Sequence, residues 1–253
     1  MIVALVSIAY FVSEADAYRP FTSTDADVVK RGEVEIEYGH GFVRGDEREL
    51  FVPEVIVNLG LTDNLELVAE SKLVLRDKED TRGGFSPDHV EFVDTGIFLK
   101  AVPLHGSLHG TDPLIPSLGF EGGLLVPTET GKDKVGFEGF GIASGRNNLF
   151  LYHLNFGGLV DEGNPGLLWG GILEVSLRRD FSLRLVTELN GESIHGEKPE
   201  NFALAGFIWE LPGGMVLDLA GRVGLSQAAP DWEVRGGVTV SLSLFPQSGV
   251  TAP

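Results

Sequence analysis

The chain has 253 residues, 34 of them Gly, 13 Pro and none Cys, with a formal net charge of −18. The lack of cysteine excludes a disulfide framework, a thiol nucleophile and a thiolate metal site, and a pI near 4.6 leaves too few clustered Lys and Arg for a nucleic-acid partner. Hydrophobic content is 43% and mean hydropathy +0.10, yet after residue 20 no run approaches the roughly 18 apolar residues of a spanning helix.

In chain order, the first signal is an apolar stretch over residues 1–12, followed by Ala15-Asp16-Ala17. The small-x-small pattern after an apolar core predicts a secretory leader over 1–17, cut after Ala17, although no Lys or Arg precedes the apolar core. Residues 18–31 then read as an N-terminal periplasmic segment, 32–245 as a β-barrel and 246–253 as a C-terminal tail.

From residue 31 the period is two. Carboxylates and apolar side chains alternate through Gly32-Glu33-Val34-Glu35-Ile36-Glu37-Tyr38, and the pattern returns at Leu65-Glu66-Leu67, Leu183-Arg184-Leu185, Leu217-Asp218-Leu219 and Trp232-Glu233-Val234-Arg235. Successive strand side chains point to opposite faces, so each strand has one apolar and one charged face. Turn signals divide the chain into strands near 32–43, 50–61, 65–75, 89–102, 114–126, 134–144, 148–159, 167–178, 181–190, 202–211, 214–226 and 232–245. Most are about ten residues long, the length of a tilted strand crossing a bilayer. The predicted fold is therefore all-β: a transmembrane antiparallel up-and-down β-barrel of about twelve strands, with ten or fourteen as alternatives.

With the first strand starting in the periplasm, the turns after even-numbered strands should be short. Four are: Thr62-Asp63-Asn64, Ser144 to Asn147, Arg179-Asp180 and Pro212-Gly213. The fifth, Pro103 to Pro113, is long and marks either a wrong strand count or a periplasmic plug or lid. The outer connections are expected to be mostly longer, notably Arg76 to Asp88 and Gly191 to Asn201.

Hydrocarbon cannot solvate carboxylates, so the charged faces belong to the lumen and their neighbours to lipid. This puts Leu59, Leu154, Phe156, Trp169, Leu219 and Val223 outside. Phe51, Phe181, Trp232 and Phe245 fall at strand ends, where aromatic girdles lie. The lumen-lining residues are Glu35, Glu66, Glu70, His153, Asn155, Arg184, Glu188, Asp218, Arg222 and Arg235, with Arg178 also on this face. Arg235 should neighbour the Glu33–Glu37 ladder once the barrel closes. A soluble sandwich or lipocalin-like barrel would invert the two faces.

Near the C-terminus, Arg235, Gly237, Val240 and Leu242 with Phe245 resemble the signal that barrel-assembly machinery reads. The segments Pro116 to Gly131, Leu149 to Gly157 and Leu59-Gly60-Leu61-Thr62-Asp63-Asn64-Leu65-Glu66-Leu67 together resemble the MetA-pathway phenol-degradation family. The resemblance covers roughly residues 30–245. It implies an outer-membrane barrel with a channel or transporter role, and aromatic or apolar solutes; it carries over no catalytic residue.

Chemistry beyond transport has two candidates. His105 and His109 lie four apart, a helical metal spacing, but in a Gly- and Pro-rich connection that favours ordinary loop histidines. His153 and Asn155 share a lumen face; barrel hydrolases use a Ser–His pair oriented by Asn or an acid, but they carry it on the lipid-facing exterior, and the nearest upstream Ser here is Ser144, across a turn. The expectation is a non-enzymatic monomer in the bacterial outer membrane without metal or cofactor. It would act as a narrow channel or transporter for small solutes, with outer-membrane lipid and the assembly machinery as partners. Excess lumen acid would favour cations or polar neutral solutes; equally, acids and bases paired across the lumen would fill and stiffen a small barrel without conducting. A non-conducting structural or adhesive barrel working through its external loops, and an outer-membrane lipid hydrolase, are the alternatives.

Overall fold

The computed structural model describes residues 12–13, 19–77 and 85–244. Twelve strands form the barrel: β1 (Glu33–Arg44), β2 (Arg48–Thr62), β3 (Leu65–Asp77), β4 (His89–Leu104), β5 (Ser117–Leu125), β6 (Gly136–Arg146), β7 (Phe150–Asp161), β8 (Asn164–Ser176), β9 (Leu183–Ile194), β10 (Glu200–Glu210), β11 (Val216–Gly224) and β12 (Trp232–Ser243). Each pairs antiparallel with its neighbours in sequence. β12 closes on β1 from Trp232↔Arg44 to Ser243↔Glu33, so the barrel keeps no open edge. The backbone of Val12–Ser13 adds to β12 at Leu242 and Ser241, beyond the last pairing of β11, Val216↔Thr239. Cleavage after Ala17, Phe245 and the 246–253 tail lie outside the described residues.

The two faces settle which solvent the exterior meets. Phe156 is 68% exposed and Leu219 60%, whereas Glu37 and Glu66 are fully buried. A soluble barrel would show the reverse; an apolar outside around a charged inside is the membrane arrangement. Asp63–Asn64, Asn147–Leu149, Leu177–Ser182 and Leu211–Met215 join strands at the end where β1 starts and β12 finishes. By the loop rule this end is periplasmic.

Some expectations need correction. Phe51 does not join a girdle; it is buried with Val74 and Val93 inside the barrel. The ladder slips between Phe51 and Glu54, and one extra residue exchanges the faces of everything beyond it. Phe181 is also buried, lying under the Arg146 guanidinium at 4.2 Å. Trp232 is outside and packs on Phe42, ring centroids 5.7 Å apart. Arg178 is exposed in the β8–β9 turn because β8 ends at Ser176. Arg235 sits opposite Gly41, above the glutamate ladder, whose Glu35 and Glu37 face Ser241 and Thr239 instead.

Nor are all outer connections long. β7 and β8 stay paired up to Asp161↔Asn164, leaving Glu162 and Gly163 as a two-residue turn with φ of 49° and 89°. Positive φ at both positions is the type I′ hairpin, which matches the twist of the strands it joins.

Candidate functional site

The lumen is occupied by the chain's own N-terminal segment. Residues 19–30, expected on the periplasmic side, run within the barrel before the chain turns into β1. Their path follows the inner wall almost strand by strand. Arg19 donates its backbone N–H to Glu37 on β1 (3.0 Å) and its guanidinium to the Gly236 carbonyl on β12 (3.2 Å). It also pairs with Asp218 on β11 (3.4 Å) and with Glu54 on β2. Phe21 packs on the Val186, Leu204, Ile208, Val216 and Ala220 cluster of β9 to β11. Thr22 and Ser23 both give their N–H groups to Glu188 on β9, at 3.0 and 2.8 Å.

The circuit continues in descending strand order. Thr24 N–H meets Asn155 on β7 (3.2 Å), whose amide returns a bond to the Thr24 carbonyl (2.8 Å). Ala26 N–H meets Ser144 Oγ on β6 (2.8 Å). Lys100 Nζ on β4 holds Asp25 at 3.1 Å and Thr24 Oγ1 at 3.2 Å. Val29 N–H meets Glu66 on β3 at 2.5 Å. An extended run of eleven residues is about 36 Å long, enough for a circle of about 6 Å radius.

This path gives the buried carboxylates a physical role. A buried backbone N–H must find an acceptor, and inside a barrel whose wall amides are paired, only side chains can supply one. Glu37, Glu66 and Glu188 do so together with Asn155 and Ser144. Hydrogen bonds to ionised acceptors contribute about 1.5–3 kcal/mol each.

The other lumen residues singled out from sequence are also inside. Glu35 accepts from Ser241 Oγ (2.7 Å). Arg184 pairs with Glu174 (2.7 Å) and Glu210. Arg222 lies 3.5 Å from the Phe202 ring centroid and reaches Glu233 at 3.4 Å. Arg235 bonds to Glu233 (2.5 Å) and to the Pro20 carbonyl (3.1 Å). Gly237, the glycine of the assembly motif, leaves the space that the Arg19 guanidinium and Asp218 fill. Val240 and Leu242 alternate with the buried Thr239 and Ser241.

Both histidine candidates lie under the segment. His153 Nδ1 is 2.9 Å from Ser144 Oγ and Nε2 is 3.1 Å from Glu174. The register explains the meeting, since Ser144 is the cross-strand partner of His153. Serine, imidazole and carboxylate are linked, but Ser144 is fully buried and already accepts the Ala26 N–H. With both its neighbours engaged in this way, Ser144 acts in this arrangement as a clamp on the segment. His109 forms a similar clamp, bonded to Ser117 (2.8 Å) and Asp27 (3.3 Å), with His105 stacked on it at 4.1 Å. The long β4–β5 connection (residues 105–116) thereby folds against the segment from the periplasmic end. Among the described residues no group of three or more side chains is placed to hold a metal ion.

Above the segment the lumen is hollow. A cavity of about 660 Å³ has Phe21 to Thr24 at its floor and is ringed toward the outer end by the β5–β6 connection (residues 126–135) and the upper strands. At this rim the Lys134 and Asp133 N–H groups bond Glu162 at 2.9 and 3.0 Å, and hold its carboxyl below the usual range. Apolar Phe98, Phe140 and Phe202 share the walls with charged groups, and carboxylates outnumber basic side chains.

The fold is that of an outer-membrane β-barrel. It is similar to the COG4313 outer membrane channel from Pseudomonas putida F1, at 10% identity over 88% of this chain and 99% of that one, with a TM-score of 0.60. It is also similar to the KdgM porin in complex with disordered oligogalacturonate, at 9% identity over 83% and 99%, TM-score 0.54. At such identities the likeness concerns the fold. No protein-family model matches the sequence, and no curated protein sequence matches it. The resemblance to the phenol-degradation family thus rests on the residues quoted for it, and the structural neighbours agree with the barrel it implies.

Proposed function

We propose that the protein is a narrow, gated channel for small solutes, filled from outside through the vestibule and closed below by residues 19–30. The observation that carries this reading is how the segment is held. Its backbone amides bond to side chains of the wall and not to a β-ladder. Side-chain contacts can be exchanged for water without opening the barrel itself, so the segment is separable from the wall it blocks. The vestibule volume falls within the range of small-molecule sites, roughly 300–1,000 Å³. Phe21, Phe98, Phe140 and Phe202 on its lining suit solutes with an apolar part, in keeping with the family resemblance.

The expected result for the purified full chain in planar bilayers is long closures broken by brief, uniform openings. If neither the full chain nor variants with a weakened segment conducts or passes solute into liposomes, the reading fails. The barrel would then be a non-conducting scaffold for its external loops. Export through a leader cut after Ala17 belongs to the same proposal. It would start the mature chain at Tyr18, one residue before the buried Arg19; the intact mass of protein taken from membranes should correspond to that start, and a mass retaining residues 1–17 would exclude it.

A further inference from the structure

The basic side chains around the vestibule already have partners. Lys72 bridges Glu54 (3.4 Å) and Asp94 (3.0 Å). Lys132 bridges Glu129 (3.3 Å) and Asp161 (2.7 Å), and Lys134 reaches the Glu162 carbonyl at 3.1 Å. Arg222 and Arg235 share Glu233. Among the cavity's other carboxylates, Glu70 on β3, Glu121 on β5 and Glu138 on β6 lie on one side of the wall. None of the three has a hydrogen bond or ion pair among the described residues.

Glu121 is the telling member. Its exposure is only 9%, it borders the hollow, and no protein donor meets it. The carboxylates of Glu70, Glu121 and Glu138 also lie within electrostatic reach of one another, and Glu192 adds to the field from β9. Lys100, the cross-strand partner of Glu121, gives its bonds to Asp25 and Thr24, so the massed carboxylates exceed the positive charge beside them, which is costly when they are buried. The vacant volume beside them is where that charge would be answered.

We propose that this wall of the vestibule binds an organic polycation, a di- or triamine being the fitting class; the inference rests on the channel reading and names what such a channel would take up. Neighbouring strands are about 4.8 Å apart, so carboxylates on β3, β5 and β6 spread over about 10–15 Å. A compact metal ion cannot span that distance, whereas ammonium groups separated by short carbon chains can. The Phe98 ring, lying over Gly96 next to Glu70 in the ladder, gives the methylenes an apolar surface. The oligogalacturonate of the KdgM complex is a polyanion, which this wall would repel.

The test is calorimetric titration of the detergent-purified full chain with spermidine at low ionic strength, repeated with Glu121→Gln and Glu121→Asp. Saturable binding by the native chain, weakened at least tenfold by Glu121→Gln and largely kept by Glu121→Asp, is the expected result. Should Glu121→Gln fail to fold, Glu70→Gln with Glu138→Gln carries the same expectation. No saturable binding, equal affinity in the glutamine variants, or full displacement by equimolar Mg²⁺ would overturn the proposal. Binding is read without conduction: flux without spermidine binding removes this inference alone, and binding without flux removes only the channel reading.

Discussion

Lys100→Met should unseat the N-terminal segment and raise the open fraction of the barrel by about a hundredfold or more, since stripping one partner from a buried ion pair costs about 3–5 kcal/mol. Lys100 is fully buried and holds Asp25 and Thr24. Glu66 and Glu121 also lie in its field. Methionine fills a similar volume but leaves these carboxylates without their cation. Withdrawal of the segment into water relieves Asp25 directly, so most of the penalty falls on the closed state. Lys100→Arg keeps the charge and should stay close to native. The measurement is single-channel recording, with the gel shift between unboiled and boiled samples establishing that each variant is folded. A folded Lys100→Met barrel that stays as closed as the native one would refute the gating role of the segment.

Gly170→Val should reach the same open state by volume instead of charge. A Cβ at Gly170 would fall on the Ser23 side chain, and valine suits a strand interior; the clash is therefore with the segment and not with β8. Displacing Ser23 would break both N–H bonds to Glu188, worth about 1.5–3 kcal/mol each. The absence of cysteine in the chain makes the readout clean. Ala26, fully buried in the native arrangement, is replaced by Cys as a reporter for a water-soluble maleimide. Labelling of Ala26→Cys should be slow alone and at least about tenfold faster with Gly170→Val, the response expected when a bond worth about 1.4 kcal/mol or more is lost. Equal rates would mean that the segment keeps its seat despite the valine.

The fold was legible because charge and apolarity alternate where strands lie. Glu33 to Tyr38 alternate without a break, and the strand number and closure follow from repeating that reading between turns. The errors fall where the period is interrupted. A residue added near Pro53 turns Phe51 inward, and Glu162-Gly163 holds a hairpin tighter than its polar composition suggests. Residues 19–30 were harder to place. They carry no alternation and no helical period, since a segment surrounded on all sides has no solvent face to mark. Its signature was indirect: more lumen carboxylates than lumen bases. In the sequence that surplus suits either a field acting on passing ions or a pairing network, yet Glu37, Glu66 and Glu188 answer backbone N–H groups, donors that appear in no count of charges. The Ser144–His153 contact was hidden for a different reason, because it depends on a register that sequence spacing does not contain.

The order in which the segment touches the strands also makes it a ruler. Its contacts pass from β12 and β11 through β9, β7, β6 and β4 to β3, with partners set one after another along a chain of fixed length. A wall with two more strands, or one ladder slipped by a residue, would put those acceptors out of step with the amides they serve. Strand number, tilt and segment length can therefore change only together. A cylinder built to the wrong gauge would betray itself by an insert that does not fit, before it ever met a solute.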